Sequence, residues 1–160
     1  DVDVILDLMI HDLDILAALV KAPLREARAI GVPVLTNSVD MASARLEFSD
    51  GTVAELQAGR VSMEPCRKIR FFTEQHYVSV DCAKREVKAV KLTPPAAGQE
   101  MGAVSGEPVT ISDWDPLAQQ LENIIHCIRT REVPIVSGED GLRALELACA
   151  VRDVMTNPAT

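Results

Sequence analysis

Hydrophobic and polar positions alternate most regularly between Met41 and Ser62, in MASARLEFSDGTVAELQAGRVS. A period of two predicts half-buried strands, and Asp50-Gly51 between two such runs predicts a β-hairpin. A two-residue Asp50-Gly51 loop would pair Leu46 with Glu55 and Ala44 with Gln57, mixing the faces. A three-residue loop, Ser49-Asp50-Gly51, pairs Phe48 with Thr52, Leu46 with Ala54, Ala44 with Leu56 and Ala42 with Ala58. It also sets Arg45 opposite Glu55 on the other face and gives Gly51 the left-handed position of a bulged turn. Register follows the apolar face, so the three-residue loop is the expected one.

The rest of the chain sorts around this hairpin. The opening run VDVIL suits either a strand or a helix entry. From Asp7, the apolar positions Leu8, Ile15, Leu16 and Leu19 predict a helix to about Lys21, stopped by Pro23. ARAIGVPVL (27–35) reads as a strand. RKIRFF, HYVSV and VKAVKL read as further strands, the last after a turn around Ala83-Lys84-Arg85. Residues 93–108 carry Pro94, Pro95, Gly98, Gly102, Gly106 and Pro108, and read as a loop, with EPVTIS as a last strand. Asp115-Pro116 is an N-cap followed by proline in the first turn. Leu117, Leu121, Ile124, Ile125 and Ile128 then form one apolar stripe. Ser137-Gly138-Glu139-Asp140 starts a final helix, carried by Leu142, Leu145 and Cys149 to about Met155. Strands grouped between helices predict an α+β fold: a mostly antiparallel open sheet with helices on one face and the other face free.

Composition adds bounds. The 160 residues suffice for one domain with a core, and this is the expected organisation. A net charge of −8 argues against nucleic acid or an anionic membrane surface as partner. No apolar run is long enough to cross a bilayer as a helix. The opening Asp-Val-Asp-Val lacks the form of a secretory leader. None of Cys66, Cys82, Cys127 and Cys149 makes a CxxC pair; Cys127 and Cys149 read as small core residues, and a reducing compartment, the cytoplasm, is expected. The chain does not begin with Met and opens directly on a structured run, which reads as a piece of a longer protein; a processed N-terminus is the plain alternative.

Candidate chemistry concentrates in DLMIHDLD. On a helix, Asp7, His11 and Asp14 share one face, beside the stripe of Leu8, Ile15 and Leu19. An Asp in a first turn is favoured as an anion and can hold one imidazole nitrogen, leaving the other to exchange a proton. The structural alternative is a cap, a half-buried histidine and a solvated Asp14. A metal site lacks a third soft ligand. His76 and His126 read as surface or half-buried residues. Arg60, at the end of a hairpin strand, could bind an anionic substrate group; a solvated strand end is the competing reading. The chain has no GxGxxG, no Walker sequence and no HExxH.

VILDLMIHDLDILAALV, ARLEFSDGTVAELQAGRVS and PIVSGEDGLRALELACAV, in that order, resemble the second domain of the Gfo/Idh/MocA family of NAD(P)-dependent oxidoreductases. The likeness runs from residue 3 to about 153. The family's D-x-x-x-H-x-x-D pattern falls on Asp7, His11 and Asp14, though its preceding glycines are not recognisable. The resemblance implies that this is the C-terminal substrate-binding and oligomerisation domain, with NAD or NADP bound mainly by an N-terminal Rossmann domain absent from this chain. It implies hydride transfer between nicotinamide and a hydroxyl carbon of a sugar, nucleotide sugar or polyol. His11 would take the hydroxyl proton, Asp7 would orient the substrate or His11, and Asp14 would support them. A lysine from a Glu-Lys-Pro motif, which this chain lacks, would assist. DLMIHDLDI is similar to the branch that oxidises the 3-hydroxyl of UDP-N-acetylglucosamine. The free sheet face would make a homodimer or homotetramer. The competing readings are a non-catalytic α+β binding or scaffold domain and a metal-assisted hydrolase.

Overall fold

A computed structural model describes residues 2–95, 97–98, 100–111 and 115–156, without the side chain of Thr156. The order is a π-helical turn (Ile5–Met9) running into α1 (Ile10–Leu19), then β1 (Leu24–Val32), β2 (Met41–Phe48), β3 (Val53–Gly59), β4 (Lys68–Phe72), β5 (His76–Asp81), β6 (Glu86–Thr93), β7 (Ala103–Glu107), α2 (Pro116–Thr130) and α3 (Gly138–Thr156). The class is α+β, and every strand pairing among the described residues is antiparallel. The strands form two sheets, β1-β2-β3 and β4-β5-β6-β7, where one continuous sheet was expected. The connection from Arg60 to Arg67 contains Pro65, which cannot donate to a ladder. The chain forms two compact units, one running to Ser62 and resuming at Glu122, the other spanning Met63–Leu121.

In the first unit, the hairpin has the expected register. Leu46 faces Ala54, Ala44 faces Leu56, Ala42 faces Ala58 and Arg45 faces Glu55. The Phe48 N–H donates to the Thr52 carbonyl at 2.9 Å, closing a three-residue loop in which Gly51 has φ +87°. Arg45 Nη1 lies 3.0 Å from Glu55 Oε1. Ala42, Ala44, Leu46 and Phe48 are buried against Val4, Ile5, Met9 and Leu13 of the first helix and Ala148 and Val151 of α3. Each large apolar side chain fully buried contributes about 1.5–3 kcal/mol.

Other boundaries differ from expectation. VDVIL is helix entry: Asp3 Oδ1 accepts the Ile5 and Leu6 N–H groups at 3.1 Å each, capping it. The first strand runs over 24–32 rather than 27–35, because Pro33 ends it. It reaches back to Leu24 because Leu24 pairs with Phe48 past an irregularity before Glu26. The expected loop 93–108 contains β7, which pairs Val104 with Leu92 and Gly106 with Val90. There the open edge of β6 outweighs a glycine-rich local sequence. EPVTIS contributes only its first residue, Glu107, to a strand; Pro108 to Ile111 form none, and Ser112 lies outside the described residues.

Both late helices begin as predicted. Asp115 Oδ1 accepts the Leu117 N–H at 2.8 Å. Ser137 and Asp140 cap reciprocally: the Ser137 N–H donates to Asp140 Oδ2 at 2.9 Å, and the Asp140 N–H to Ser137 Oγ at 3.2 Å. Their apolar residues are not all covered. Leu117, Leu121, Ile124, Ile125 and Ile128 are exposed. The buried stripe of α3 is Ala144, Ala148 and Val151, while Leu142 and Leu145 are exposed. Cys149 is exposed and Cys127 only half-buried, so neither is a core residue. Small residues hold this position because the packing is close. A Cβ on Gly31 of β1 would lie 2.7 Å from both Met155 Sδ and Val39 Cγ1.

In the second unit, Ile69, Phe71, Val78, Val80, Val87 and Ala89 share one face and are half-buried. On the other face the Phe72 and Tyr77 rings lie 4.9 Å apart.

Gly31→Ala should destabilise the chain by about 1–3 kcal/mol through overpacking. Urea unfolding measures this, and an unchanged midpoint would mean that Met155 and Val39 have room to move.

Candidate functional site

The site expected from the sequence starts in the first helix. Ile10 donates its N–H to the Ile5 carbonyl, an i→i−5 bond that widens this turn. The wide turn carries Asp7, and α1 carries His11 and Asp14. Met9, Leu13 and Ala17 face the core. Asp7 and His11 are exposed and Asp14 is half-buried. All three therefore stand off the buried stripe. Among the described residues, no hydrogen bond joins Asp7 to His11.

Asp7 has another partner. Arg60, one residue past β3, donates from Nη2 at 2.8 Å and from Nε at 3.2 Å to Asp7 Oδ2. The same Nη2 reaches the Val2 carbonyl at 2.6 Å. Nη1 lies 3.5 Å from Asp40 Oδ1. All three guanidinium nitrogens are thus engaged by the protein, and these bonds hold the Arg60 pKa above its ordinary value, Asp7 contributing most. The fold does bring Asp7 and Arg60 into one cluster, but as each other's partners.

Asp40 was missed by sequence reading. Its side chain is fully buried. Oδ2 accepts the N–H groups of Val34 at 2.9 Å, Leu35 at 2.7 Å and Thr36 at 2.7 Å, and Oδ1 accepts Thr36 Oγ1–H at 3.0 Å. These donors, the Val34 N–H first, hold the carboxyl well below the usual carboxylate range, against the opposing effect of desolvation. The available signal was TNSVD, a polar turn with an Asp directly before an alternating strand.

The remaining histidines have partners of their own. His126 Nε2 lies 2.8 Å from Glu132 Oε2 and is exposed; His76 Nε2 lies 4.0 Å from Glu107 Oε2 and is half-buried.

The helix-backed antiparallel α+β architecture and the ordered motifs define a class. The chain is similar to the C-terminal part of Gfo/Idh/MocA-like oxidoreductases. In particular, it is 38% identical over 154 residues to UDP-N-acetylglucosamine 3-dehydrogenase of Acidithiobacillus ferrooxidans, covering 95% of this chain and 48% of that protein. A solved structure of that dehydrogenase superposes with a TM-score of 0.84 at 36% identity, over 96% of this chain and 47% of the other. An aldose–aldose oxidoreductase from Caulobacter crescentus shares the fold at 19% identity, with a TM-score of 0.73 over 94% of this chain and 44% of its own. The chain spans about half the length of the relatives it matches. No family profile matches it.

Acidification gives a test of the buried carboxylate. A folded-state pKa below the unfolded value of 3.8 means Asp40 stabilises the fold above that pH and loses the contribution as pH falls. Thermal unfolding from pH 6 down to pH ~2.5 should show wild type losing stability below about pH 4. Asp40→Asn should start lower and lose less on acidification. Equal slopes in the two proteins would remove Asp40 from the acid response.

Proposed function

We propose that this chain is the substrate-binding and oligomerisation part of an NAD(P)-dependent oxidoreductase. The reaction is exchange of hydride between nicotinamide and a hydroxyl carbon of a sugar or nucleotide sugar, with the 3-hydroxyl of UDP-N-acetylglucosamine the leading candidate. The observation that carries this reading is the 38% identity to UDP-N-acetylglucosamine 3-dehydrogenase across 95% of the chain. A helical turn widened at Asp7 supports it, because such turns recur at functional sites.

The residues present do not suit a dinucleotide. The sequence has no glycine-rich phosphate motif, the described strands pair antiparallel, and Arg60 is committed to Asp7, Asp40 and Val2. The nicotinamide belongs to a part of the whole protein outside this chain, and the groups of this chain handle the substrate.

His11 is the proton acceptor for the substrate hydroxyl. Its exposed imidazole is free of protein hydrogen bonds among the described residues, so both nitrogens are open to substrate and water. Asp7 accepts a hydrogen bond from a neighbouring substrate hydroxyl through Oδ1, since Oδ2 is held by Arg60. Asp14 supplies a second substrate contact one turn along. Arg60, expected as an anion receptor, serves this site better as the holder of Asp7.

Self-association through the outer face of β1-β2-β3 completes the reading. That face carries Ile30, Val32, Met41 and Val53, all at least 44% exposed, beside the Arg45–Glu47 and Arg45–Glu55 ion pairs. A homodimer or homotetramer would cover these apolar side chains.

Two measurements on the gene product that carries this chain test the proposal. Reduction of nicotinamide with UDP-N-acetylglucosamine should fall about 10²–10⁴-fold in kcat in His11→Ala, with unchanged thermal unfolding. Equal turnover would return His11 to a structural role, and no turnover with any UDP-sugar or polyol would favour a scaffold domain. Light scattering should find an oligomer that Ile30→Asp shifts to smaller species; an unshifted mass would exclude this face as the contact.

A further inference from the structure

Asp40 does more than close its own loop. Four donors from Val34, Leu35 and Thr36 already satisfy the carboxylate, so the fold of residues 33–40 does not require Arg60. Arg60 nevertheless comes to Asp40 twice. Its N–H donates to the Asp40 carbonyl at 2.9 Å, and Nη1 lies 3.5 Å from Oδ1. Asp40 is itself fixed to β1 by its N–H, which donates to the Val32 carbonyl at 3.0 Å. Both the main chain and the head group of Arg60 therefore rest on one immobile residue.

A guanidinium is a rigid planar fork, so fixing one edge sets the direction of the others. With Nη1 at Asp40, the Nε and Nη2 edge faces Asp7 Oδ2 at 3.2 and 2.8 Å. The Asp7 side chain is 50% accessible, and Arg60 is the group that holds its carboxylate. An exposed carboxylate–guanidinium pair is weak when both partners are free to move, because ordering two long side chains opposes the attraction. An anchored arginine removes most of that opposition.

We propose that Asp40 is a positioning residue that acts through Arg60 to hold Asp7 in one orientation at the candidate site. Asp40 touches no substrate, since it is buried; its effect passes through the guanidinium. The consequence for turnover rests on the functional reading above, whereas the placement of Arg60 does not.

The test uses the Arg60 Nε–Hε signal in arginine-selected nitrogen–proton NMR of the whole gene product, because Nε contacts Asp7 and not Asp40. Water exchange of this proton should be slow in wild type and should quicken in Asp7→Asn. In Asp40→Asn, with folding verified by circular dichroism, it should quicken about tenfold, the scale of one charge-assisted hydrogen bond. Exchange unchanged in folded Asp40→Asn would overturn the inference. Should Asp40→Asn not fold, Thr36→Val decides: it removes the hydroxyl competing for Oδ1 and leaves the carboxylate. Exchange slower than wild type supports positioning, and equal or faster exchange overturns it. A loosened Arg60 with full turnover of nucleotide sugar would uphold the placement and sink the catalytic reading of Asp7.

Discussion

A carboxylate buried away from water is stable only if donors replace its hydration, and Asp40 meets that demand with backbone. The chain after Pro33 curls so that three successive N–H groups converge on one oxygen. That curl fixes where β1 ends and β2 begins. The adjoining Val39 carbonyl accepts the Val4 N–H at 2.9 Å and so sets where the first helix starts. The Asp40 carbonyl receives Arg60 from the end of β3. Two neighbouring residues thus tie together the helix entry and all three strands of the first sheet.

The buried face of β2 supplies the rest of the constraint. Ala42 and Ala44 are small and Leu46 and Phe48 are large, and all four are buried in one core with residues of the first helix and α3. α3 answers with its own small residues, Ala144 and Ala148, and the absence of a side chain at Gly31 lets Met155 and Val39 pass. The candidate residues ride on this packing. Met9, Leu13 and Ala17 anchor the inner face of the helix, which leaves Asp7, His11 and Asp14 on its outer side.

Electrostatics around the site are arranged from the inside outward. The most constrained charge is Asp40, the intermediate one is Arg60, whose side chain is a quarter exposed, and the freest is Asp7. Rigidity is thereby passed from core to surface through charge-assisted contacts, and solvent screening weakens only the last of them. A site placed at the end of such a series keeps its geometry while staying open to a ligand.

Local pattern determined much of this protein by itself. The hairpin register from Ala42 to Ala58, the left-handed Gly51, the Asp115 and Ser137 caps and the antiparallel α+β class all follow from alternation, turn chemistry and capping, which act over a few residues. The ordered motifs around Asp7, Arg45 and Asp140 also pointed to the oxidoreductases that the chain is similar to. Tertiary structure decided the rest. β7 exists because β6 offered an unpaired edge, which no property of AVSGE announces. Periodicity marks an apolar stripe but not whether anything covers it, so Cys127 and Cys149 were misplaced in the core. Asp40 was invisible because its meaning lies in where the backbone of Val34 to Thr36 points, and Arg60 changed from a free cation to a tether because Asp7, 53 residues away in sequence, folds against it. Such long-range contacts depend on the packed positions of several elements at once, and no local spacing encodes them.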